Sequence, residues 1–517
     1  MQRKNLTLVI VSLLVVVLSV SLAYFTAQII GEGKTVDVTS ANLQIVFTDS
    51  DGALTETDIE PGWSATKTFT IKNDTKTEYK YNIVIKDLLN TFVTEGYLQY
   101  KITSTNNGYN MTEFKDIPKS SAPKDTILAY SVVIPNGVTQ SYTIEFKYAN
   151  DESVDQSEDM GKKLSGTLFI TEGTEDIYAG YEEGTLGYQI MGDNPTRSTR
   201  SNNNNGTNDF ATPLTTTTTG TLFTSTESIT GITDSPKEVY YYAGNTTNNW
   251  VKFANLYWRI IRTNHDSSIR LLYVGTSHDT TTGNIGTSLF NQNYDGPKYV
   301  GYKYGEDTSL DTIRNNTTDS TIKTFIDSWY QNNLTNYTKY LSTSAVYCND
   351  RSLGTGQTYS TSSDSEFKFA PYYRMDYGTG GAKANPSYNC TDIRDAFSAE
   401  NTSAKLTYPV SLMTADEIAF AGGVAATTMN TPYAWFISNS AGTQVSTSWW
   451  SLSPYYWVNG SAFVWYWFSD FTILYNGYVG YTGAVRPAIS PKSCIKYSTG
   501  DGTSESPYEI VETSSGC

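Results

Sequence analysis

The chain reads WWSLSPYYWVNGSAFVWYWFSDFTILYNGYVGYTGAVRPAI from Trp449 to Ile489, and no other stretch says as much about it. Aromatic side chains are crowded here together with Asn, Ser, Asp and Gly, whereas Lys, Glu, Gln and Met are missing. Rigid rings supply contact area and small polar groups supply adaptable hydrogen bonds, as they do in antibody recognition loops. The composition therefore predicts a binding face.

Residues 462–468 alternate in the way a strand requires, because successive side chains of a strand point to opposite faces. We expect Trp465 and Trp467 to point outward, and the alternative is that these rings are packed in the core against a helix. The inward residues would be Ala462, Val464, Tyr466 and Phe468. Nine residues are predicted to bind the ligand: Tyr455, Tyr456, Asn459, Trp465, Trp467, Asp470, Tyr475, Asn476 and Tyr478.

Length and charge bound the remaining possibilities. A chain of 517 residues favours about three structural units. The 36 Lys and Arg residues against 52 Asp and Glu residues give a net charge of −16, and no run of basic residues occurs. A phosphate backbone would be repelled by such a surface, so nucleic acid is not an expected partner.

The N-terminus predicts export. Arg3 and Lys4 precede an almost purely apolar run from Leu6 to Leu22. The run fits the core of a signal peptide or, extended to Ile30, a single membrane anchor, and residues 1–30 are assigned to one or the other. Positive charge stays on the cytoplasmic side, so the rest of the chain is expected outside the cell, and contact with the membrane is expected through this N-terminal segment.

Short β-rich runs then follow between residues 35 and 172, separated by turn residues such as Pro135-Asn136-Gly137. Their number and spacing predict an Ig-like β-sandwich that serves as a stalk. Asp49-x-Asp51-Gly52 lacks the ligand spacing of a calcium loop, so we expect a plain turn and no metal there. The expected strands are 42–48, 66–72, 79–85, 97–103, 127–134, 140–146 and 164–171.

Residues 173–234 are rich in Asn, Thr and Ser and are predicted to be a flexible linker, because such a tract buries too little apolar surface to offset its ordering entropy. An α+β head is expected after it. Ser320 is a good N-cap for a helix with an inward apolar stripe, and Thr414 with Glu417 forms a capping box for a second helix.

Five motifs of this head occur, in the same order, in a large group of uncharacterised bacterial surface proteins, which the chain resembles over about residues 235–492. They are Tyr257-Trp258-Arg259-Ile260-Ile261-Arg262, Cys348-Asn349-Asp350-Arg351, Leu412-Met413-Thr414-Ala415-Asp416-Glu417, Trp450-Ser451-Leu452-Ser453-Pro454 and Val485-Arg486-Pro487-Ala488-Ile489. The resemblance implies a C-type-lectin-like fold of the formylglycine-generating-enzyme and phage-receptor-binding kind. Leu22-Ala23-Tyr24-Phe25-Thr26-Ala27 resembles the signal regions of camelysin-like and biofilm-fibre proteins.

The chain departs from the enzyme branch of that family, and we expect no enzyme. A formylglycine-generating oxidase holds copper with a closely placed cysteine pair, which is absent from this sequence. The two histidines belong to no metal-ligand array, so no cofactor is expected. Four cysteines allow three connectivities, and in an oxidising compartment we expect two disulfides, the second of which ties a tail over residues 493–517. The expected pairs are Cys348 with Cys390 and Cys494 with Cys517.

Three functions remain. The preferred one is an adhesin or lectin-like protein that binds a glycan or a protein on another cell or surface. In one version of this function, a retroelement diversifies residues 455–481 by mutating adenines. Such mutation of Asn codons cannot produce Lys, Gln, Glu or Met, and the segment contains none of these four residues. The alternatives are a structural surface or matrix protein and a surface hydrolase, whose paired carboxylates would be close in space rather than in sequence.

Overall fold

The computed structural model describes most of the chain, and its residues form two compact units, Met1–Asp176 and Ile177–Cys517. The described residues are 25–30, 35–40, 43–49, 53–94, 96–202, 208–375, 382–427, 434–441 and 447–517. The apolar run predicted as a signal or anchor helix lies outside them. Phe25–Ile30, which the membrane anchor would include if it extended to Ile30, form a strand. No helix in the described ranges has the length and apolar character needed to cross a membrane.

The first unit is a β-sandwich. One sheet has the strand order β4-β1-β11-β6-β9 and the other has the order β2-β3-β5-β10-β7-β8. Each of the seven predicted runs overlaps an observed strand, and the structure adds β1, β2, β4 and β8, which were not predicted. The strands are β1 Phe25–Ile30, β2 Thr35–Ser40, β3 Leu43–Asp49, β4 Ala53–Ile59, β5 Ser64–Lys72, β6 Tyr79–Asn90, β7 Leu98–Ser104, β8 Lys115–Asp116, β9 Ser120–Ile134, β10 Thr139–Tyr148 and β11 Lys163–Glu172.

Alternating burial along the strands shows which face of the sandwich forms the core. Every second residue of β10, from Gln140 to Tyr148, is buried, and the residues between them are partly or fully exposed. Phe69 and Ile71 of one sheet share a hydrophobic core with Ile83 and Ile85 of the other. Strand β10 therefore hides one face and leaves the other to solvent, whereas residues 81–85 of β6 are buried on both faces.

The second unit begins well before the predicted head. Its helix Leu186–Asp193 buries Leu186, Ile190 and Met191, and its strand Thr221–Glu227 pairs with a neighbouring strand. The prediction of a flexible linker over 173–234 is therefore wrong for these elements. Apolar residues at helical spacing give enough burial to order a segment whose average composition is polar.

The second unit has more than twice as many strand residues as α-helix residues, so the regular structure of the expected α+β head is mainly β. Its helices are α1 Leu186–Asp193, α2 Leu310–Ile313, α3 Thr321–Asn333, α4 Ala370–Met375 and α5 Ala415–Phe420. Its strands are β12 Thr196–Thr199, β13 Thr221–Glu227, β14 Lys237–Tyr241, β15 Trp250–Phe253, β16 Leu256–Thr263, β17 Ile269–Gly275, β18 Thr287–Leu289, β19 Lys303–Tyr304, β20 Thr318–Asp319, β21 Tyr347–Cys348, β22 Phe367–Lys368, β23 Ala396–Phe397, β24 Val410–Leu412, β25 Trp449–Val458, β26 Ser461–Phe468, β27 Ile473–Tyr478, β28 Thr482–Ala484, β29 Pro487–Ile489, β30 Tyr497–Thr499 and β31 Tyr508–Ile510.

Two sheets carry this unit. A ten-stranded sheet runs β12-β13-β14-β16-β15-β31-β30, with β17, β24 and β29 joined at its side, and a six-stranded sheet runs β18-β28-β25-β26-β27 with β22 beside β25. Trp258 and Leu271 of the first sheet share one core with Trp449 and Val464 of the second. The segment predicted as a tail after residue 492 contributes β30 and β31 to the larger sheet, so it is part of the fold.

Both predicted helices and both predicted disulfides are confirmed. The Ser320 side chain accepts a hydrogen bond from the Lys323 N–H at the start of α3, and Thr414 and Glu417 form the capping box of α5. The disulfides join Cys348 to Cys390 and Cys494 to Cys517.

Candidate functional site

The predicted binding face lies on the antiparallel meander of β25, β26 and β27. The turn between β25 and β26 is Asn459-Gly460, and both residues have positive φ angles, 48° and 69°. An Asn-Gly pair is the preferred sequence for such a two-residue hairpin turn, since both residues tolerate the left-handed region. Asp470 belongs to the turn at the other end of β26, after Phe468.

The prediction that Trp465 and Trp467 point to solvent is wrong. Trp465 is 0% exposed and Trp467 is 1% exposed. Trp465 packs edge-on against Tyr455 at 4.5 Å between ring centres, and Trp467 packs against Phe436 at 5.0 Å. Both rings belong to the same hydrophobic core as Ile322, Ile326 and Tyr330 of α3, so the alternative of core packing is supported. Tyr455 is itself fully buried and is also lost from the predicted site.

Alternation failed to place the rings because the centre of the meander is covered on both faces. Tyr466, on the face opposite to Trp465, is also buried and packs against Trp450 at 4.5 Å. Gly477 and Gly483 have no side chain, and a Cβ at either position would lie within 3 Å of the Trp450 and Tyr466 side chains. A strand with two covered faces gives no alternating pattern of burial.

Asp470 does not belong to the same site as Asn459. The two residues lie at opposite ends of the eight-residue strand β26. At a rise of about 3.3 Å per residue, the ends of that strand are roughly 25 Å apart. The residues predicted to bind the ligand therefore lie at two separate ends of the meander. Asn459 lies at the same end as Tyr456 and Tyr478.

Five partly exposed rings meet at that end and form one surface cluster, here called the aromatic row. Tyr456 of β25 stacks on Phe463 of β26 at 4.8 Å, and Phe463 contacts Tyr478 of β27 at 5.5 Å. Tyr478 in turn contacts Tyr294 and Tyr481, each at 5.0 Å. Tyr294 is 45% exposed and Tyr481 is 64% exposed.

Backbone contacts hold the row in place. The Ala462 N–H donates a hydrogen bond to the Tyr294 carbonyl at 3.0 Å, which fixes the loop of Tyr294 beside β26. The Tyr481 N–H donates to the Tyr478 carbonyl at 2.9 Å and closes a turn. A Cβ on Gly480, inside this turn, would lie 2.7 Å from the Tyr478 ring, so only glycine allows the two tyrosines to meet.

The row is uncharged. Burial, with a hydrogen bond to the Tyr294 hydroxyl, raises the pKa of Tyr478 to about 12, so this phenol is neutral at ordinary pH. Segments 455–464 and 475–484 contain no Asp, Glu, Lys or Arg. The side-chain amides of Asn459 and Asn476 make no hydrogen bond to any residue that the structure describes, and both are accessible to solvent. Tyr475 is half-buried beside Phe468, at 6.2 Å between ring centres.

Sequence reasoning missed Tyr294, Phe463 and Tyr481. The sequence could have identified Tyr481, because it lies three residues after Tyr478 in a stretch already predicted to bind the ligand. Tyr294 lies more than 160 residues before Tyr456, and no local pattern indicates that the two rings share a surface.

A second candidate is a small buried cavity of about 20 Å³ below α5. Its carboxylates are engaged by arginines: Arg262 contacts Glu227 at 2.8 Å and Glu417 at 2.9 Å, and Arg374 contacts Asp350 at 2.6 Å and Asp416 at 2.8 Å. The neighbouring arginines hold the pKa of Glu227, Glu417 and Asp350 below the ordinary values, which suits an ion-pair network better than proton transfer. Within the described ranges no group of three or more His, Cys, Asp and Glu residues is placed to hold a metal ion.

Acid should weaken this network. Burial alone would raise the pKa of Glu227 and Glu417. Arg262 together with His265 lowers the pKa of Glu227. Arg270 followed by Arg262 lowers the pKa of Glu417, so both values lie below the ordinary 4.5. A lowered folded-state pKa stabilises the fold above the unfolded value, and this stability is lost as pH falls. We expect the Tm of the second unit to drop below about pH 4.5, and the drop should be smaller in Glu227→Gln/Glu417→Gln. A Tm that stays constant from neutral pH to pH 3 in the unmodified protein would contradict the expectation.

Comparison with known proteins adds little to this geometry. No protein-family model and no curated protein match the chain. A solved structure of AvmM, described as catalysing macrocyclization in alchivemycin A biosynthesis, aligns with 28% of this chain and 97% of its own length. The two are 9% identical, and the TM-score is 0.15. A similarity at this level carries no argument about the fold or the function of this protein.

Proposed function

We propose that this protein is an exported cell-surface binding protein, adhesin-like or lectin-like, whose second unit binds a ligand through the aromatic row. The observation that carries the proposal is the row itself: five rings in continuous contact, partly exposed on a hydrogen-bonded meander. Contiguous exposed apolar patches on folded proteins mark interaction sites. The ring positions are fixed by backbone hydrogen bonds, so binding would cost little ordering entropy.

Export is supported by cysteine chemistry. All four cysteines of the chain are paired in disulfides, which persist in oxidising compartments. The apolar run from Leu6 to Leu22 would direct export and either be removed or hold the protein in the membrane. In this proposal the first unit is an Ig-like stalk and the second is a C-type-lectin-like head, which would present the row to a glycan or protein on another cell or surface.

Removing the two most exposed rings should abolish most binding and leave the fold intact. Tyr294→Ala/Tyr481→Ala removes rings that a bound ligand would cover, at about 1 to 3 kcal/mol per ring. We expect at least tenfold weaker binding of the purified exported chain to glycan arrays and to a panel of bacterial and animal cells, with a Tm close to that of the unmodified protein.

Phe471→Ala is the matched control. Phe471 is as exposed as Tyr481, at 64%, but it lies in the turn at the other end of the meander. Loss of this ring should leave binding unchanged. Equal binding by the unmodified protein and by Tyr294→Ala/Tyr481→Ala to every glycan and cell that retains the protein would refute the proposed site.

A further inference from the structure

Three rings of the aromatic row lie in line across the sheet, and two more contact the ring at the end of that line. Tyr456, Phe463 and Tyr478 lie side by side on three neighbouring strands, with centres 4.8 Å and 5.5 Å apart. The rings that continue the row beyond Tyr478, Tyr294 and Tyr481, are its most exposed members. Exposure that rises toward the end of the row leaves room for a ligand to extend past it. This shape suits the interior of a chain molecule better than a single terminal group.

Charge around the row argues against an anionic ligand. No charged residue occurs in the two segments that supply four of the five rings. Asp295, next to Tyr294, is exposed, and Lys368, opposite Tyr456 in the sheet, is paired with Glu366 at 3.0 Å. The cation opposite Tyr456 is therefore already neutralised, and a polyanion would also face the net charge of −16.

A protein partner is also a poor match for the row. Strong protein interfaces centre on Trp, Tyr and Arg anchors, and of these three residue types the row offers only Tyr. In this meander the tryptophans are part of the core, and the row segments contain no Arg. Tyrosine and phenylalanine rings with free amides at Asn459 and Asn476 instead match a sugar chain, which offers apolar C–H faces to rings and hydroxyl groups to amides.

We infer that the aromatic row binds the interior of an uncharged polysaccharide, which lies across strands β25 to β27 and continues past Tyr481. The inference rests on the proposed function and adds its ligand class. Rings would contact successive sugar units, while Asn459 and Asn476 would hydrogen-bond to their hydroxyl groups. Binding of this kind uses no ion pair and is therefore insensitive to salt.

Affinity electrophoresis of the full exported chain tests the inference. The probes are gels that contain a neutral polymer (β-glucan, mannan, xylan, galactan or dextran) or a charged one (polygalacturonate or dextran sulfate). We expect at least one neutral polymer to retard the protein, equally at low and high salt. Tyr294→Ala/Tyr481→Ala should weaken retardation roughly tenfold or more, and Phe471→Ala should not.

Chain length separates interior from terminal recognition. Long oligosaccharides of the retarding polymer should compete for the protein far better than the corresponding mono- and disaccharides. Equal competition by the monosaccharide would overturn interior binding. If no neutral polymer retards the protein, or only a charged one does, the inferred ligand class is wrong. The proposed function still stands in that case if binding to cells depends on Tyr294 and Tyr481. If binding to cells and glycans is also independent of these rings, both proposals fail.

Discussion

Trp465→Ala is expected to lower the free energy of unfolding by about 3 to 5 kcal/mol, the cost typical of truncating a core tryptophan. The ring is fully buried, packs edge-on against Tyr455, and lies in the core that joins the two large sheets of the second unit. Its removal leaves a cavity that neighbouring strands close only in part. Domains are stable by about 5 to 15 kcal/mol, so this loss is a large share of the total.

Urea unfolding followed by tryptophan fluorescence and circular dichroism measures the effect. The matched control is again Phe471→Ala, because that exposed ring should change stability by no more than about 0.5 kcal/mol. The contradictory result would be a Trp465→Ala protein that unfolds at the same urea concentration as the unmodified chain but no longer binds ligand. Trp465 would then be a surface residue, against the packing described above.

Local sequence signals predicted much of the fold because they act over a few residues. Ser320 and Thr414 identified the starts of α3 and α5, since capping hydrogen bonds reach only two or three residues along the chain. The strands of the first unit followed from period-two burial, as in β10. The region 173–234 was misjudged because average composition hides the spacing of Leu186 and Ile190.

The candidate site was only partly predictable. The aromatic composition of residues 449–489 pointed to Tyr456 and Tyr478. It could not separate them from the buried rings, because exposed and core aromatic residues occur in the same stretch. Which rings stay exposed depends on what covers the sheet, and Phe436, which covers Trp467, comes from a separate loop. Tyr294 enters the row through a tertiary hydrogen bond to Ala462. Contacts of this range leave no trace in one sequence.

The buried ion pairs were equally hidden from sequence reasoning. Arg262 meets Glu227 and Glu417 across 35 and 155 residues of chain. All three side chains are at most 3% exposed, so the charges depend on one another rather than on water. Arg270 shares Glu417 at 2.6 Å, which makes a network rather than one isolated pair.

Arg262→Met should destabilise the second unit by about 3 to 5 kcal/mol, because the change leaves Glu227 without its guanidinium in a buried site and deprives Glu417 of one of two. Lys252→Met is the control: the Lys252–Glu509 pair is about two-fifths exposed on both sides, so its loss should cost at most about 1 kcal/mol. Both variants are measured by urea unfolding at neutral pH.

Adding Glu227→Gln to Arg262→Met should recover part of the lost stability, because the unpaired buried charge is then removed as well. A recovery would locate the penalty in the stranded carboxylate rather than in lost packing of the arginine side chain. If Arg262→Met costs no more than Lys252→Met, the network is accessible to water, and the lowered pKa values and the acid sensitivity expected from it would have to be abandoned as well.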